Sequence, residues 1–138
     1  MIHNYFHMIL IMILSGVLSS MWVWSDKISD VRLSLNDAYM IALMTSLMIF
    51  FMSVLDKNVT YMIISSTCVG LVFFLIRSQK FVSKRQYFQG MIPHHSMAVH
   101  MSRRLLINDT TLSEDEKTFV ENIIRAQESE IRLMKSWM

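Results

Sequence analysis

Long apolar stretches dominate the first half of the chain. No Asp, Glu, Lys or Arg occurs in residues 1–25, 38–55 or 59–76. Each stretch has about the 20 residues that an α-helix needs to cross the roughly 30 Å hydrocarbon core of a bilayer. The pattern therefore predicts three transmembrane helices, which we place at residues 5–24, 38–55 and 59–76.

Charged residues gather in the second half of the chain. Residues 77–138 hold 10 of the 13 basic and 7 of the 11 acidic residues. Between Gln86 and Leu106, apolar residues recur at steps of three and four, which predicts an amphipathic helix. The positions expected to form its buried face are Phe88, Met91, Ala98, Met101 and Leu105.

A second amphipathic helix should begin after a turn at residues 108–111. Ser113 followed by Glu116 is typical of a capping box at a helix N-terminus. The expected apolar stripe consists of Val120, Ile124, Gln127, Ile131, Met134 and Met138. We therefore expect an all-α protein with a transmembrane domain at residues 1–80 and a helical hairpin at residues 81–138.

Composition excludes several classes of protein. Of the 138 residues, 17% are charged, below the roughly 25% usual for soluble domains. Three glycines and one proline are too few for turn-rich β folds, and a single cysteine excludes a disulfide framework within one chain. A net charge of +2 gives no indication of nucleic-acid binding. Because no nucleophile–base pair or cofactor motif can be named, we do not expect an enzyme.

Basic residues beside the predicted spans lie mainly on one side of the membrane. Six of them fall in the first loop and after the third span, namely Lys27, Arg32, Arg77, Lys80, Lys84 and Arg85. The opposite side carries Lys57. Because cytoplasmic loops are enriched in Lys and Arg, we expect a bacterial cell-membrane protein with its N-terminus outside and its C-terminal domain in the cytoplasm.

The candidate chemistry lies on the first C-terminal helix. Three histidines and three methionines fall within eleven residues there, namely Met91, His94, His95, Met97, His100 and Met101. Imidazole nitrogen and thioether sulfur are soft, uncharged donors that favour copper(I) over magnesium, calcium or manganese. Pro93 has no backbone N–H and should bend the helix beside them. On the opposing helix, Gln127 or Glu130 is positioned to hydrogen-bond the second nitrogen of a ligating histidine.

Residues 86–138 resemble the domain-of-unknown-function 305 family. That family is marked by Met-Ile-Pro-His-His on one helix and Gln-x-x-Glu-Ile-x-x-Met on the next. Here the two motifs are residues 91–95 and 127–134, with Trp137 at the usual aromatic place. The resemblance extends upstream, to a branch with three N-terminal spans and Arg-Ser-Gln after the third, here Arg77-Ser78-Gln79.

The resemblance implies half of a ferritin-like four-helix bundle and a role in copper handling. The matched candidate ligands are Met91, His94, His95, Met101 and Met134, with Met97 and His100 as additional candidates. Many secreted members have an aspartate where this chain has His100.

Two functional hypotheses remain open at this point. The first is an integral membrane protein that binds a soft metal, copper(I) in particular, for buffering, sensing or handover. The second is a structural or partner-binding membrane protein without a metal, whose histidines lie at a helix–helix interface.

Two further expectations concern assembly. Met40, Met44, Met48 and Met52 share one face of the second span, and we interpret them as adaptable packing residues in preference to a thioether relay for copper(I). A two-helix hairpin leaves half of each apolar stripe in water, so we expect a dimer or higher homo-oligomer through the C-terminal hairpin. The other expected partner is the lipid membrane.

Overall fold

The computed structural model describes residues 2–138, except for the side chains of residues 2–4, 21 and 22. Two short 3₁₀ helices, Met21–Trp24 and Ile28–Asp30, connect the first two of five α-helices. The α-helices are α1 (Ile2–Leu18), α2 (Leu35–Leu55), α3 (Val59–Ser78), α4 (Lys84–Asn108) and α5 (Glu114–Ser136). Because none of residues 2–138 lies in a β-strand, the all-α prediction is confirmed.

The helices α2 and α3 form a tightly packed hairpin. Its short turn ends at Asn58, whose side chain caps α3 by accepting a hydrogen bond from the Tyr61 backbone N–H at 3.3 Å. With 21 and 20 residues and mean hydropathies of 2.1 and 2.2, the two helices are long and apolar enough to cross a membrane. Their bounds extend the predicted spans by only two or three residues.

The predicted first span, residues 5–24, is wrong because its helix ends at Leu18. At 17 residues, α1 is about 26 Å long, short of the roughly 30 Å hydrocarbon core. The hydroxyls of Ser19 and Ser20 donate hydrogen bonds to carbonyls of the last turn, and such bonds compete with helix continuation. The structure therefore has two candidate membrane spans and a shorter apolar helix.

The short helix α1 lies along the α2–α3 hairpin. Near its N-terminal end, the Tyr5 hydroxyl donates to Asp56 Oδ2 at 2.8 Å, and its ring stacks on Tyr61 at 4.6 Å. Near the other end, a Cβ on Gly16 would lie 2.8 Å from Cγ1 of Ile41, so the close approach to α2 favours glycine. The N-terminal end of α1 is therefore beside the turn that joins α2 to α3.

The methionine stripe of α2 faces away from the other helices of this unit. Met40, Met44 and Met48 are exposed, and Met52 is half-buried. If these methionines are packing residues, as predicted, they would pack against lipid or against another chain.

A second compact unit consists of α4, α5 and residues 21–34, which we call the strap. The sequence placed the strap in the first loop of residues 1–80, whereas the structure packs it on α4. The predicted capping box is confirmed, since Ser113 and Glu116 exchange both hydrogen bonds at the start of α5. The core of this unit contains Phe88, Ile92, Val99, Ile131 and Met134, against which Met91 and Ile124 pack.

The buried face of α4 differs from the predicted one. Ile92, Ser96 and Val99 are almost completely buried, whereas Met101 and Leu105 are 54% and 41% exposed. The polar Ser96 is buried because the strap supplies hydrogen-bond partners for it. Periodicity alone could not include such a position in the core, because it counts only apolar residues.

Candidate metal centre

His95 is buried between α4 and α5 with a partner on each ring nitrogen. Its Nδ1 lies 2.8 Å from the carbonyl oxygen of Met91, one turn earlier in α4. Its Nε2 lies 2.8 Å from Oε2 of Glu130 on α5. Because a carbonyl only accepts hydrogen bonds, Nδ1 must carry a hydrogen. The backbone therefore fixes the ring so that Nε2 points at the opposing helix.

Glu130 occupies the position that a metal ion would take on Nε2 of His95. With the Glu130 carboxylate in place, both ring nitrogens of His95 face hydrogen-bond acceptors. The Glu130 side chain is 55% exposed, so it can turn into water without leaving a buried charge. Of the two candidate hydrogen-bond partners on α5, Glu130 is the one that contacts His95. Gln127, three residues earlier, is half-buried.

His94 is exposed and lies next to His95, with ring centroids 6.2 Å apart and ring planes at 69°. An ion about 2 Å from one nitrogen of each ring would hold the two centroids at most about 6.5 Å apart. The observed separation therefore permits one ion to contact both rings after side-chain rotation.

Two of the candidate methionines belong to the core between α4 and α5. Met134 is a buried member of the core cluster, and Met91 packs against that cluster. Met91 precedes His94 and His95 by three and four residues, so it shares their side of α4.

The remaining candidate ligands lie elsewhere on α4. His100 and Met101 line a separate open groove together with Phe119 of α5. Met101 is six residues from His95, about 9 Å along the helix axis. Met97 is half-buried between the two regions. The structure thus places Met91, His94 and His95 in the N-terminal half of α4, with Met91 and Met134 in one core cluster, and places His100 and Met101 in a separate groove.

A polar network between the strap and the two helices was missed by the sequence analysis. Ser96, which follows the His-His pair, donates to Oδ2 of Asp30 at 2.7 Å and accepts from the Asp26 backbone N–H at 2.9 Å. Arg103 bridges Asp26 at 2.8 Å and Glu128 at 2.6 Å. In the sequence, only the acidic residues of the first loop could have indicated this network, and their partners lie 66 to 105 positions further along the chain.

Asp30 is the most buried charged group of this network. Its carboxylate is 2% exposed and also pairs with Lys135 of α5. Burial by itself raises the pKa of Asp30, but hydrogen bonds from Lys135 and Ser96 and the charges of Lys135 and Lys27 outweigh it. The pKa of Asp30 therefore lies below its usual value, and the carboxylate is ionised at neutral pH.

Groups of three or more His, Cys, Asp or Glu side chains that could hold a metal ion are absent from the part of the chain that the structure describes. The candidate donors on α4 and α5 are imidazoles, thioethers and the Glu130 carboxylate.

Comparisons with known proteins found a family match and a viral relative. The model of the domain of unknown function DUF305 matches residues 76–138, which include both motifs and the pair His95–Glu130. An uncharacterised protein of Acanthamoeba polyphaga mimivirus is 39% identical over 138 aligned positions, which cover 94% of this chain and 90% of that protein. The search of solved structures found no match. With a viral relative along almost its whole length and a family match over α4 and α5, the chain belongs to the DUF305 family.

Proposed function

We propose that this protein is an integral membrane protein that binds a soft metal ion, copper(I) in preference to zinc, at His94 and His95. The observation that carries the proposal is the Nδ1 hydrogen bond of His95 to the Met91 carbonyl. Metal-ligating histidines are commonly held in this way, with one nitrogen bonded to the backbone and the other presented to the ion.

The donor types select the metal. Two imidazoles and the thioethers of Met91 and Met134 form a neutral, soft ligand set, which suits copper(I) and contributes little to the binding of magnesium, calcium or manganese. The role would be buffering, sensing or handover of the ion. Met97, His100 and Met101 would provide a second, weaker set of donors along the same helix.

Glu130 would compete with the metal for Nε2 of His95. Copper(I) at Nε2 would require that nitrogen to carry no hydrogen and the Glu130 carboxylate to turn outward into water. The histidine is therefore kept in place without metal, and metal binding exchanges one partner of Nε2 for another.

The test is an anaerobic titration of the full chain in detergent against a chromogenic copper(I) chelator. The double variant His94→Ala/His95→Ala should lose about a hundredfold or more in affinity. The matched control is His100→Ala, on the same helix but in the separate groove, which should retain wild-type affinity.

Equal copper(I) retention by the double variant would refute the assignment. Because His95 is buried, its loss can also disturb the fold, so His94→Ala alone is measured in parallel. His94 is exposed, and its removal should weaken copper(I) binding while the thermal unfolding of the protein stays unchanged.

A structural role for the histidines is the second candidate function, favoured by the fact that both nitrogens of His95 already have partners. In that case His95 would join α4 to α5, and the protein would serve as a membrane anchor or a partner-binding surface. The titration separates the two functions, because a purely structural pair leaves copper(I) unbound at chelator concentrations that compete with a specific site.

The membrane orientation forms part of the proposal. Six basic residues lie in the strap, at the end of α3, in the linker after it and at the start of α4, namely Lys27, Arg32, Arg77, Lys80, Lys84 and Arg85, whereas the turn between α2 and α3 carries Lys57. By the enrichment of basic residues in cytoplasmic loops, the strap and the C-terminal helices would lie in the cytoplasm. The N-terminal end of α1, which contacts Asp56 of that turn, would lie on the opposite side.

A further inference from the structure

An open groove of about 630 Å³ runs between the C-terminal half of α4 and the N-terminal half of α5. Its walls are mainly apolar. Met101 and Leu105 come from α4, Phe119 and Ile123 come from α5, and Trp24 comes from the strap. Phe119 is 66% exposed and Trp24 is 54% exposed, so the groove presents large apolar side chains that this unit does not cover.

We propose that this groove docks on the surface of the lipid bilayer, with the apolar side chains in the interfacial layer and Arg104 at an anionic headgroup. The inference rests on the membrane location proposed above. It adds a second kind of membrane contact, made by the C-terminal unit itself.

Chain connectivity holds the start of the C-terminal helices close to the bilayer. The strap leads directly into α2 at Leu35, and five residues separate the end of α3 at Ser78 from the start of α4 at Lys84. The six steps from Ser78 to Lys84 span at most about 22 Å. If α2 and α3 cross the membrane, the start of α4 is held within roughly that distance of the headgroups.

The chemistry of the groove also matches the interfacial layer. Tryptophan is enriched where a membrane protein passes from hydrocarbon to water, because its ring is apolar and its N–H is polar. Arg104 lines the same groove and is exposed, and a basic side chain near an anionic leaflet gains about 1 kcal/mol. Ile107, one turn further along α4, is also exposed. An apolar face with an arginine at its rim is typical of a segment that lies on a membrane surface.

The test places a spin label on single-cysteine variants of the full chain in nanodiscs of phosphatidylcholine and phosphatidylserine. Cys68→Ser removes the native thiol, and labels are then attached at Phe119→Cys, Glu121→Cys and Ile63→Cys. All three positions are exposed, so the labels should not disturb the core. Collision with oxygen reports lipid, and collision with a water-soluble nickel complex reports solvent.

The Phe119 label should favour oxygen, whereas the Glu121 label, about 160° around α5 from it, should favour the nickel complex. Ile63 in α3 reports the proposed span independently. If the Ile63 label is in lipid and the Phe119 label is in water, the docking proposal is overturned while the membrane location stands. If the Ile63 label is in water, the membrane location itself fails.

A second copy of the chain on the groove would give a different result. Dipolar coupling between two Phe119 labels would then show a short, defined distance, and the label would be shielded from both oxygen and nickel. That result would overturn the lipid proposal in favour of a dimer interface.

Discussion

Asp30 in the strap forms a buried ion pair with Lys135 near the end of α5, across 105 positions of sequence. Ser96 of α4 donates to the same carboxylate, so one side chain joins all three elements of the C-terminal unit. The strap itself continues into α2 at Leu35.

Asp30→Asn should lower the free energy of unfolding of the C-terminal unit by about 2–4 kcal/mol. Removing one partner of a buried pair leaves the other charge uncompensated. Thermal unfolding in detergent, followed by circular dichroism, measures the change. The control is Lys27→Ala, which removes an exposed 3.5 Å pair with Glu128 and should cost at most about 1 kcal/mol. Equal effects of the two substitutions would mean that the Asp30–Lys135 pair contributes no more to the free energy of unfolding than an exposed ion pair.

The pH dependence follows from the lowered pKa of Asp30. A carboxyl group whose pKa is lower in the folded state stabilises the protein fully above its unfolded pKa, about 4. That contribution is lost as the pH falls through the folded pKa. The wild type should therefore lose stability below about pH 4, and Asp30→Asn should show a smaller loss. Parallel curves for the two proteins, measured by tryptophan fluorescence, would contradict this assignment.

Glu130→Ala should strengthen copper(I) binding by about threefold to tenfold, because a charge-assisted hydrogen bond that competes for Nε2 of His95 is removed. Chelator competition measures the affinity. The control for the loss of negative charge is Glu121→Ala, because Glu121 is an exposed acidic residue on the same helix. Weaker binding by Glu130→Ala would instead make the carboxylate a supporting group or a ligand of the ion.

The proposed orientation predicts the behaviour of a reporter enzyme that is active only outside the cytoplasm. Expressed in bacteria, the reporter should be silent when fused after Met138 and active when inserted between Asp56 and Asn58. Fusion before Met1 should also give activity, because the N-terminal end of α1 lies at the Asp56 turn. Activity after Met138 would place the histidines outside the cell.

Ile131→Glu should unfold the hairpin, and not merely separate subunits. Ile131 belongs to the apolar stripe from which the sequence predicts a dimer, and in the structure it is 7% exposed in the core of a single chain. A buried unpaired charge there should cost about 3 kcal/mol or more. Leu133→Glu, at a half-exposed neighbouring position, should have little effect on thermal unfolding. If Ile131→Glu keeps its helicity but changes the cross-linked mass, Ile131 belongs to a subunit interface.

Features set by local pattern could be predicted from the sequence. The helices α2 and α3 follow from two charge-free runs separated by Asp56, Lys57 and Asn58, since hydropathy and turn residues act over short distances. The start of α5 follows from Ser113 and Glu116, three residues apart. The family motifs likewise indicated which helices would carry the candidate metal centre.

Other features depend on contacts between distant residues. The sequence did not predict the end of α1 at Leu18, because Ser19 and Ser20 are uncharged and the charge-free run extends past them to Ser25. The sequence offered Gln127 or Glu130 as the hydrogen-bond partner of a histidine on α4, and only the packing of α5 on α4 shows that Glu130 contacts His95.

The face that α4 buries was decided by tertiary structure in the same way. Apolar periodicity favoured Met101 and left out Ser96, because it assigns every polar residue to water. In the fold, Ser96 is completely buried because Asp26 and Asp30 of the strap supply its hydrogen bonds. The sequence therefore determined the helices and the residues with metal-binding chemistry. Which residues meet was decided by the packing of α4, α5 and the strap, through buried polar contacts whose free energy exists only once remote segments have come together.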